Sequence, residues 1–170
     1  MKKFILGLVV GLAIIPVGAF VYLWAGMAPV ATAAAPLPLE ETVTKMALNA
    51  RLKKEVPKDV PLPADGPNLL AGAAVYRANC AVCHGLPGQP RSAIEMGMFP
   101  KPPELLKGKG VSDDPPGESY WKVANGIRLT GMPSFRPLLT ETEMWQVSLL
   151  VANSDKLPPA VQAALTAPSH

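Results

Sequence analysis

The chain opens with one long apolar run and then alternates amphipathic stretches with proline-rich ones. Phe4 to Trp24 contains no charged residue. As a helix with about 1.5 Å rise per residue, this run would span roughly 30 Å, the thickness of the hydrocarbon core of a bilayer. Lys2 and Lys3 precede it and predict that the N-terminus stays in the cytoplasm. We therefore predict a single-pass transmembrane anchor over residues 1–26, in the cytoplasmic (inner) membrane.

A cleaved signal peptide is the alternative for this segment. Small residues follow the apolar run and could form a cleavage site: Ala31, Ala33, Ala34 and Ala35. The apolar region of a signal peptide usually has about 7–15 residues, and this one is longer, which favours an uncleaved anchor. Both alternatives export the remainder of the chain to the periplasmic or outer face.

Residues 27–65 are rich in proline and predict an extended, stiff linker. Within it, Glu40 to Val56 predicts a short polar helix, because its acidic residues come first and Lys53 and Lys54 come last, as the helix dipole favours. The linker could be a spacer that holds a domain away from the membrane. It could equally be a docking arm that wraps a partner subunit.

Three further helices are predicted by apolar spacing and terminal residues. They are Leu69 to Asn79, capped by Asn68; Glu118 to Asn125, ended by Gly126; and Glu141 to about Asn153, opened by a capping box of Thr140 and Glu143. Between the first two, residues 85–116 are mostly loop, and residues 156–170 are expected to be a C-terminal tail. These helices predict a folded domain over residues 66–155.

Charge and composition exclude several classes of protein. Residues 66–170 carry nine basic and eight acidic side chains, so the domain lacks the clustered positive charge of a nucleic-acid-binding protein. The chain has two cysteines and two histidines. A closed zinc site would therefore have to use both cysteines, His84 and the terminal His170, which is geometrically awkward.

The candidate chemistry lies in Asn79-Cys80-Ala81-Val82-Cys83-His84-Gly85. This C-x-x-C-H pattern is the attachment signal of a c-type haem. Two thiols three residues apart on one helical turn can each bond a vinyl group of the same haem, and the next residue offers an imidazole to the iron. A redox-active dithiol would usually lie in a βαβ context, which is not evident here. A disulfide would close only a very small loop and stabilise little.

A second axial ligand is expected from elsewhere in the chain, and methionine is usual in electron carriers. Met96 and Met98 follow His84 so closely that the chain would have to wrap around the haem edge. Met144 lies in an amphipathic helix and is expected in the core. Met132 is favoured, since Gly131 and Pro133 flank it in a stiff, non-helical loop.

Residues 66–155 resemble class I c-type cytochromes of the small bacterial monohaem type. The resemblance is carried by the segments 76–85 (YRANCAVCHG), 126–135 (GIRLTGMPSF) and 139–147 (LTETEMWQV). It implies an all-α fold, the small cytochrome c fold around one covalent haem, here preceded by a transmembrane helix and a Pro-rich linker. It also implies Met132 as the distal ligand, and a close helix crossing at which Trp145 packs near Gly72.

Further contacts to the haem are hypotheses. Arg128 and Trp121 are candidates to bind a propionate. Pro87 or Pro90 could accept a hydrogen bond from the second nitrogen of His84 and so fix its tautomer. Four lysines could surround an exposed haem edge and attract acidic partners: Lys101, Lys107, Lys109 and Lys122.

The predicted function is a membrane-anchored monohaem c-type cytochrome that carries single electrons and is not itself an enzyme. It would be a subunit or a partner of a membrane electron-transfer complex, such as a respiratory one, and would exchange electrons with other redox proteins. A haem-based sensor or small-ligand-binding protein is the alternative, and it would need a vacant or labile distal site. The electron donor, the acceptor and the reduction potential do not follow from the sequence.

Overall fold

The computed structural model of the protein describes residues 1–107 and 114–167, which form helices and no strands. The all-α prediction is thus confirmed. By its contacts the chain divides into two units, Met1–Glu41 and Thr42–His170. The helices are α1 (Lys2–Trp24), α2 (Glu40–Glu55), α3 (Gly66–Asn79), α4 (Ala81–His84), α5 (Ala93–Gly97), α6 (Pro116–Asn125), α7 (Glu141–Ala152) and α8 (Pro159–Thr166). Lys109 and His170 lie outside the described residues.

Helix α1 is the apolar element expected at the N-terminus. Its 23 residues have a mean hydropathy of 2.7, and none of them is buried. The helix is long and apolar enough to cross a membrane, as a transmembrane anchor would be. A signal sequence has the same properties.

Helix α3 begins earlier than its sequence pattern indicated. Its N-cap is Asp65, whose carboxylate accepts a hydrogen bond from the Asn68 backbone N–H at 3.0 Å. Pro67 lies in the first turn, where a helix tolerates proline because those N–H groups have no partner within the helix. The Asn68 side chain is therefore free for another contact, and its Oδ1 accepts a hydrogen bond from Gln146 Nε2 at 3.1 Å.

Helices α3 and α7 cross closely at Gly72. A Cβ at this position would collide with the backbone carbonyl of Gln146 and lie 3.2 Å from Leu150 Cβ. The expected partner Trp145 is elsewhere: its ring stacks on Tyr120 of α6, with centroids 4.1 Å apart and planes 12° from parallel. Neighbouring residues of a helix point in directions about 100° apart, so Gln146 faces α3 while Trp145 faces α6.

Helix α8 corrects the prediction of a C-terminal tail after residue 155. Val161 and Leu165 are each 1% exposed and belong to the main core. The Arg77 guanidinium on α3 donates hydrogen bonds to the carbonyls of Ala164, Leu165 and Ala167, at 2.8–3.1 Å. Cationic donors at a C-terminus satisfy carbonyls that the helix itself leaves free. The folded domain therefore extends through α8.

The end of α2 packs against the domain that follows it. Leu52 is buried, the Pro57 carbonyl contacts Gly117 of α6, and the Trp121 indole N–H donates to Glu55 at 3.1 Å. Residues 52–57 therefore belong to the folded unit, which neither the spacer nor the docking-arm interpretation anticipated.

The main core lies between α3, α7 and α8. Its fully or nearly buried members are Leu69, Ala73, Val75, Tyr76, Cys80, Val147, Leu149, Leu150, Val151, Leu157, Val161 and Leu165. A second cluster joins α6 to α7 and includes Met144, which confirms that this methionine is a core residue. Cys80 stands at the edge of the main core, directly before α4.

Candidate functional site

The two thiols and His84 lie on a single turn. Cys80 ends α3 and begins α4, and the His84 backbone N–H donates to the Cys80 carbonyl at 2.9 Å. Cys80 is buried and Cys83 is half-buried, and both are free thiols. Gly85 follows with a φ of +74°, a left-handed conformation that favours glycine. The segment thus presents two sulfurs and one imidazole from one compact turn.

His84 is held in one tautomer by a residue far along the chain. Its Nδ1 lies 2.8 Å from the Pro103 carbonyl oxygen. A carbonyl can only accept, so Nδ1 carries the proton and Nε2 keeps its lone pair for a metal. The partner is Pro103, and the expectation of Pro87 or Pro90 was wrong. Burial lowers the pKa of His84, and it outweighs the opposing effects of the Pro103 carbonyl and of Glu95.

The environment of Cys80 argues against a redox-active dithiol. Burial, with a smaller contribution from Cys83, raises the pKa of the Cys80 thiol to about 12. Reactive cysteines depend on the opposite shift, since the thiolate is the nucleophile. Cys80 therefore lacks the low-pKa environment of a reactive cysteine.

Tyr76 fastens this turn to the core. Its side chain is fully buried. The hydroxyl donates to the Gly85 carbonyl at 3.0 Å and lies 3.3 Å from the His84 carbonyl. Burial raises the pKa of the Tyr76 phenol well above its ordinary value, so it remains a donor at every physiological pH. The tyrosine therefore fixes the backbone that carries His84.

Met132 lies in a tight loop, residues 126–135, which we call the methionine loop. Gly126 ends α6 with a φ of +67°, and a Cβ there would collide with the backbone of residues 132–134. The Ile127 N–H donates to the Met132 carbonyl at 3.1 Å, and the Ser134 hydroxyl donates to Ala124 at 2.6 Å. The loop is thus folded back on α6, and it leaves the Met132 side chain half-buried.

A second methionine lies beside this loop. The methyl group of Met98 packs directly against Gly131, the residue before Met132. The sequence argument set Met98 aside because it follows His84 so closely, but the chain between them turns back through α5 and reaches the methionine loop. Both sulfurs are therefore candidates for an axial position, and the role of Met132 stays a prediction.

The two proposed propionate ligands differ in their surroundings. The Trp121 N–H is already engaged by Glu55, so the structure assigns this indole to the contact between α2 and α6. Arg128 is exposed in the methionine loop. Its role in binding a propionate stays a prediction.

A cavity of about 550 Å³ opens beside His84, within the range of roughly 300–1,000 Å³ that small-molecule and cofactor sites occupy. Its described lining comes from two segments, 84–91 and 104–107, and includes Arg91, Glu104 and Lys107. Hydrogen bonds from Lys107 and Arg91 lower the pKa of Glu104. Cys80 and Met132 are not among these lining residues, so the cavity accounts only for the His84 side of the site.

The residues present fit a covalent haem c. The donor set consists of two thiols and an imidazole whose Nε2 is free. Large apolar side chains are also exposed in the same turn, in and after α5, and in the methionine loop: Val82, Ile94, Met96, Phe99 and Leu129, the last at 83%. Among the described residues no group of three or more His, Cys, Asp or Glu side chains could hold a bare metal ion.

A match to a family model supports the same family. A family model described as cytochrome c oxidase, cbb3-type, subunit III matches residues 67–149, just under half of the chain. A chain of the reducing HAO-like protein complex of Kuenenia stuttgartiensis is 26% identical, with a TM-score of 0.48. That match covers 61% of this chain and 53% of the other. No curated protein matches.

The family match spans α3, the Cys80–His84 turn, the methionine loop and most of α7. It coincides with the segments on which the sequence resemblance rests, and with the all-α fold. A domain of this kind implies haem c, to which the turn of Cys80, Cys83 and His84 is suited. Residues 67–149 are therefore a cytochrome c domain.

Proposed function

We propose that this chain is a membrane-anchored monohaem cytochrome that carries single electrons as a subunit or partner of a membrane redox complex, and that it is not itself an enzyme. The observation that carries the proposal is the His84 turn, in which two thiols and an imidazole with a fixed tautomer lie together. The haem supplies a one-electron iron couple.

The chain's own residues have distinct parts in this proposal. Cys80 and Cys83 would hold the group covalently, and His84 Nε2 would bind its iron. Met132 would supply the second ligand, and Met98, whose methyl group packs against Gly131, is its competitor. An iron with both ligands in place would exchange electrons without binding a substrate. Arg128 is proposed to bind a propionate.

We infer that α1 remains as a single-pass anchor in the cytoplasmic membrane and that the cytochrome domain lies on the periplasmic or outer face. Its length and hydropathy support this inference. The full chain should fractionate with membranes, and the mass of the mature protein should include residues 1–26 plus one haem. A mature mass that lacks the N-terminal segment would identify a signal peptide instead.

The haem count and the function are tested on protein matured in a host with cytochrome c assembly. A pyridine haemochrome assay should give one covalent haem per chain, and redox titration should give a one-electron transition. Purification from mild detergent should co-isolate a membrane oxidase or dehydrogenase in fixed stoichiometry. Colourless protein from such a host would refute the proposal.

The distal ligand is tested by comparing Met132→Ala with Met98→Ala. Met132→Ala should abolish the ferric methionine-to-iron charge-transfer band and should let the ferrous protein bind carbon monoxide, because one axial position opens. Met98→Ala is the matched control and should keep the band. The reverse result would assign Met98 as the ligand. Carbon monoxide binding by the wild-type protein would favour the sensor alternative.

A further inference from the structure

A buried carboxylate stands beside the His84 turn. Glu95 is fully buried, and neither of its oxygens has a hydrogen-bond partner among the residues that the structure describes. Its Oε2 lies 3.8 Å from the position that a Cβ on Gly85 would take. Leaving an ionisable side chain in such a place is costly, since burial removes its hydration. The fold nevertheless holds it there.

Helix α5 places this carboxylate by two contacts. Ser92 caps the helix, and its side chain accepts from the Glu95 backbone N–H at 3.0 Å. The same hydroxyl donates to the Val82 carbonyl, inside the C-x-x-C-H segment, at 2.6 Å. Because one serine ties α5 to α4, Glu95 cannot move away from the His84 turn without breaking the cap.

The charges around Glu95 leave it only partly compensated. The Arg91 Nε lies 3.3 Å from Glu95 Oε1, but it directs its hydrogen bond to Glu104 at 2.9 Å. Arg91 therefore shares its charge between two carboxylates, and Lys107 pairs with the outer one at 2.6 Å. On the inner side, the electrostatic effect of the Glu95 carboxyl reaches Tyr76 and His84.

We propose that Glu95 is a positioning charge of the redox site, whose carboxylate stabilises the oxidised, more positive state of the iron bound by His84 and so lowers the reduction potential. This rests on the proposed function. A fixed negative charge in a poorly hydrated site interacts with a metal charge more strongly than one in water does. Buried charge and hydrogen bonding around axial ligands are among the means by which a protein sets a haem potential.

The test is the midpoint potential of the holoprotein carrying Glu95→Gln, which removes the charge and keeps the shape. The potential should rise, by an amount on the order of a tenfold change in the reduction equilibrium, or about 59 mV for one electron. Glu141→Gln makes the same chemical change in the exposed first turn of α7 and should leave the potential unchanged. A loosened, wetter site would shift the potential of Glu95→Gln downward instead.

A second variant covers failure of Glu95→Gln to mature. Arg91→Gln removes the partly exposed positive partner and should lower the potential. An unchanged or lowered potential in Glu95→Gln, or an unchanged or raised one in Arg91→Gln, overturns the inference. Colourless wild-type protein would instead refute the proposed function. If the wild-type protein carries haem and shows a normal one-electron transition, but the variants have the same midpoint potential as wild type, only the role of Glu95 is refuted.

Discussion

At the scale of single residues, the site depends on backbone groups that have one specific partner each. The carbonyls of His84 and Gly85 face the Tyr76 hydroxyl, and the Pro103 carbonyl faces His84 Nδ1. A buried carbonyl that loses its donor retains the full cost of its desolvation. The orientation of the imidazole is therefore sensitive to changes in residues that never touch the iron.

Tyr76→Phe tests this dependence. The ring would still fill the core, but the buried hydroxyl donor would be lost, and we expect the free energy of unfolding to fall by about 1–3 kcal/mol. Urea unfolding of the holoprotein, followed by circular dichroism, measures it. Tyr120→Phe is the matched control, because its ring stacks on Trp145 and would remain in place. Equal losses in the two variants would contradict a special role for the Tyr76 hydroxyl.

At the scale of elements, local sequence rules decide how the helices begin. The α7 capping box is complete: the Thr140 hydroxyl accepts from the Glu143 N–H at 3.3 Å, and the Glu143 carboxylate accepts from the Thr140 N–H at 2.8 Å. Hydrogen bonds from the Thr140 hydroxyl and backbone lower the pKa of Glu143. All four residues of this motif are adjacent in the chain, so the sequence alone predicts it.

The lowered pKa of Glu143 predicts a pH dependence. A carboxylate with a depressed folded-state pKa stabilises the protein above its unfolded pKa, which is about 4.3 for Glu, and loses this contribution as the pH falls through the folded value. Glu143→Gln does not titrate. Its thermal unfolding temperature should lie below that of wild type at pH 7, and the difference should shrink toward pH 3.

The control for this pH dependence is Glu141→Gln, which lies in the same turn but outside the capping box. The difference in unfolding temperature between Glu141→Gln and wild type should not shrink as the pH falls. If the difference in unfolding temperature between Glu143→Gln and wild type stayed constant from pH 7 to pH 3, the charge of the Glu143 carboxylate would not stabilise the protein through the cap.

At the scale of the whole molecule, the cytochrome domain is completed by segments outside the matched residues 67–149. Helix α8 closes the core against α3, and residues 52–57 cover part of α6. A small domain gains stability from every additional buried apolar side chain. The C-terminal helix is therefore part of the fold that holds the site.

Leu165→Ala tests the contribution of α8. Leu165 is 1% exposed, and truncating a buried leucine typically costs about 2–5 kcal/mol. Leu138→Ala removes the same atoms at a position that is 67% exposed and should change stability by less than about 0.5 kcal/mol. Chemical denaturation of both holoproteins measures the difference. If both variants lost an equally small amount of unfolding free energy, α8 would not be part of the core.

The sequence by itself determined what depends on neighbours along the chain. A continuous apolar run defines α1, a capping box starts α7, and Cys80, Cys83 and His84 share one turn whatever the rest of the chain does. Gly72 was recognised as the close crossing through the family resemblance, although its actual partners are Gln146 and Leu150.

Only the tertiary structure decided the contacts between distant residues. Pro103 was not foreseen as the partner of His84, nor Glu55 as that of Trp121, because nothing local distinguishes one proline carbonyl or one glutamate from another. The approach of Met98 to the methionine loop and the packing of α8 on α3 were missed for the same reason. Such contacts depend on how the helices pack, and this packing is set by the fit of whole surfaces, which no short stretch of sequence contains.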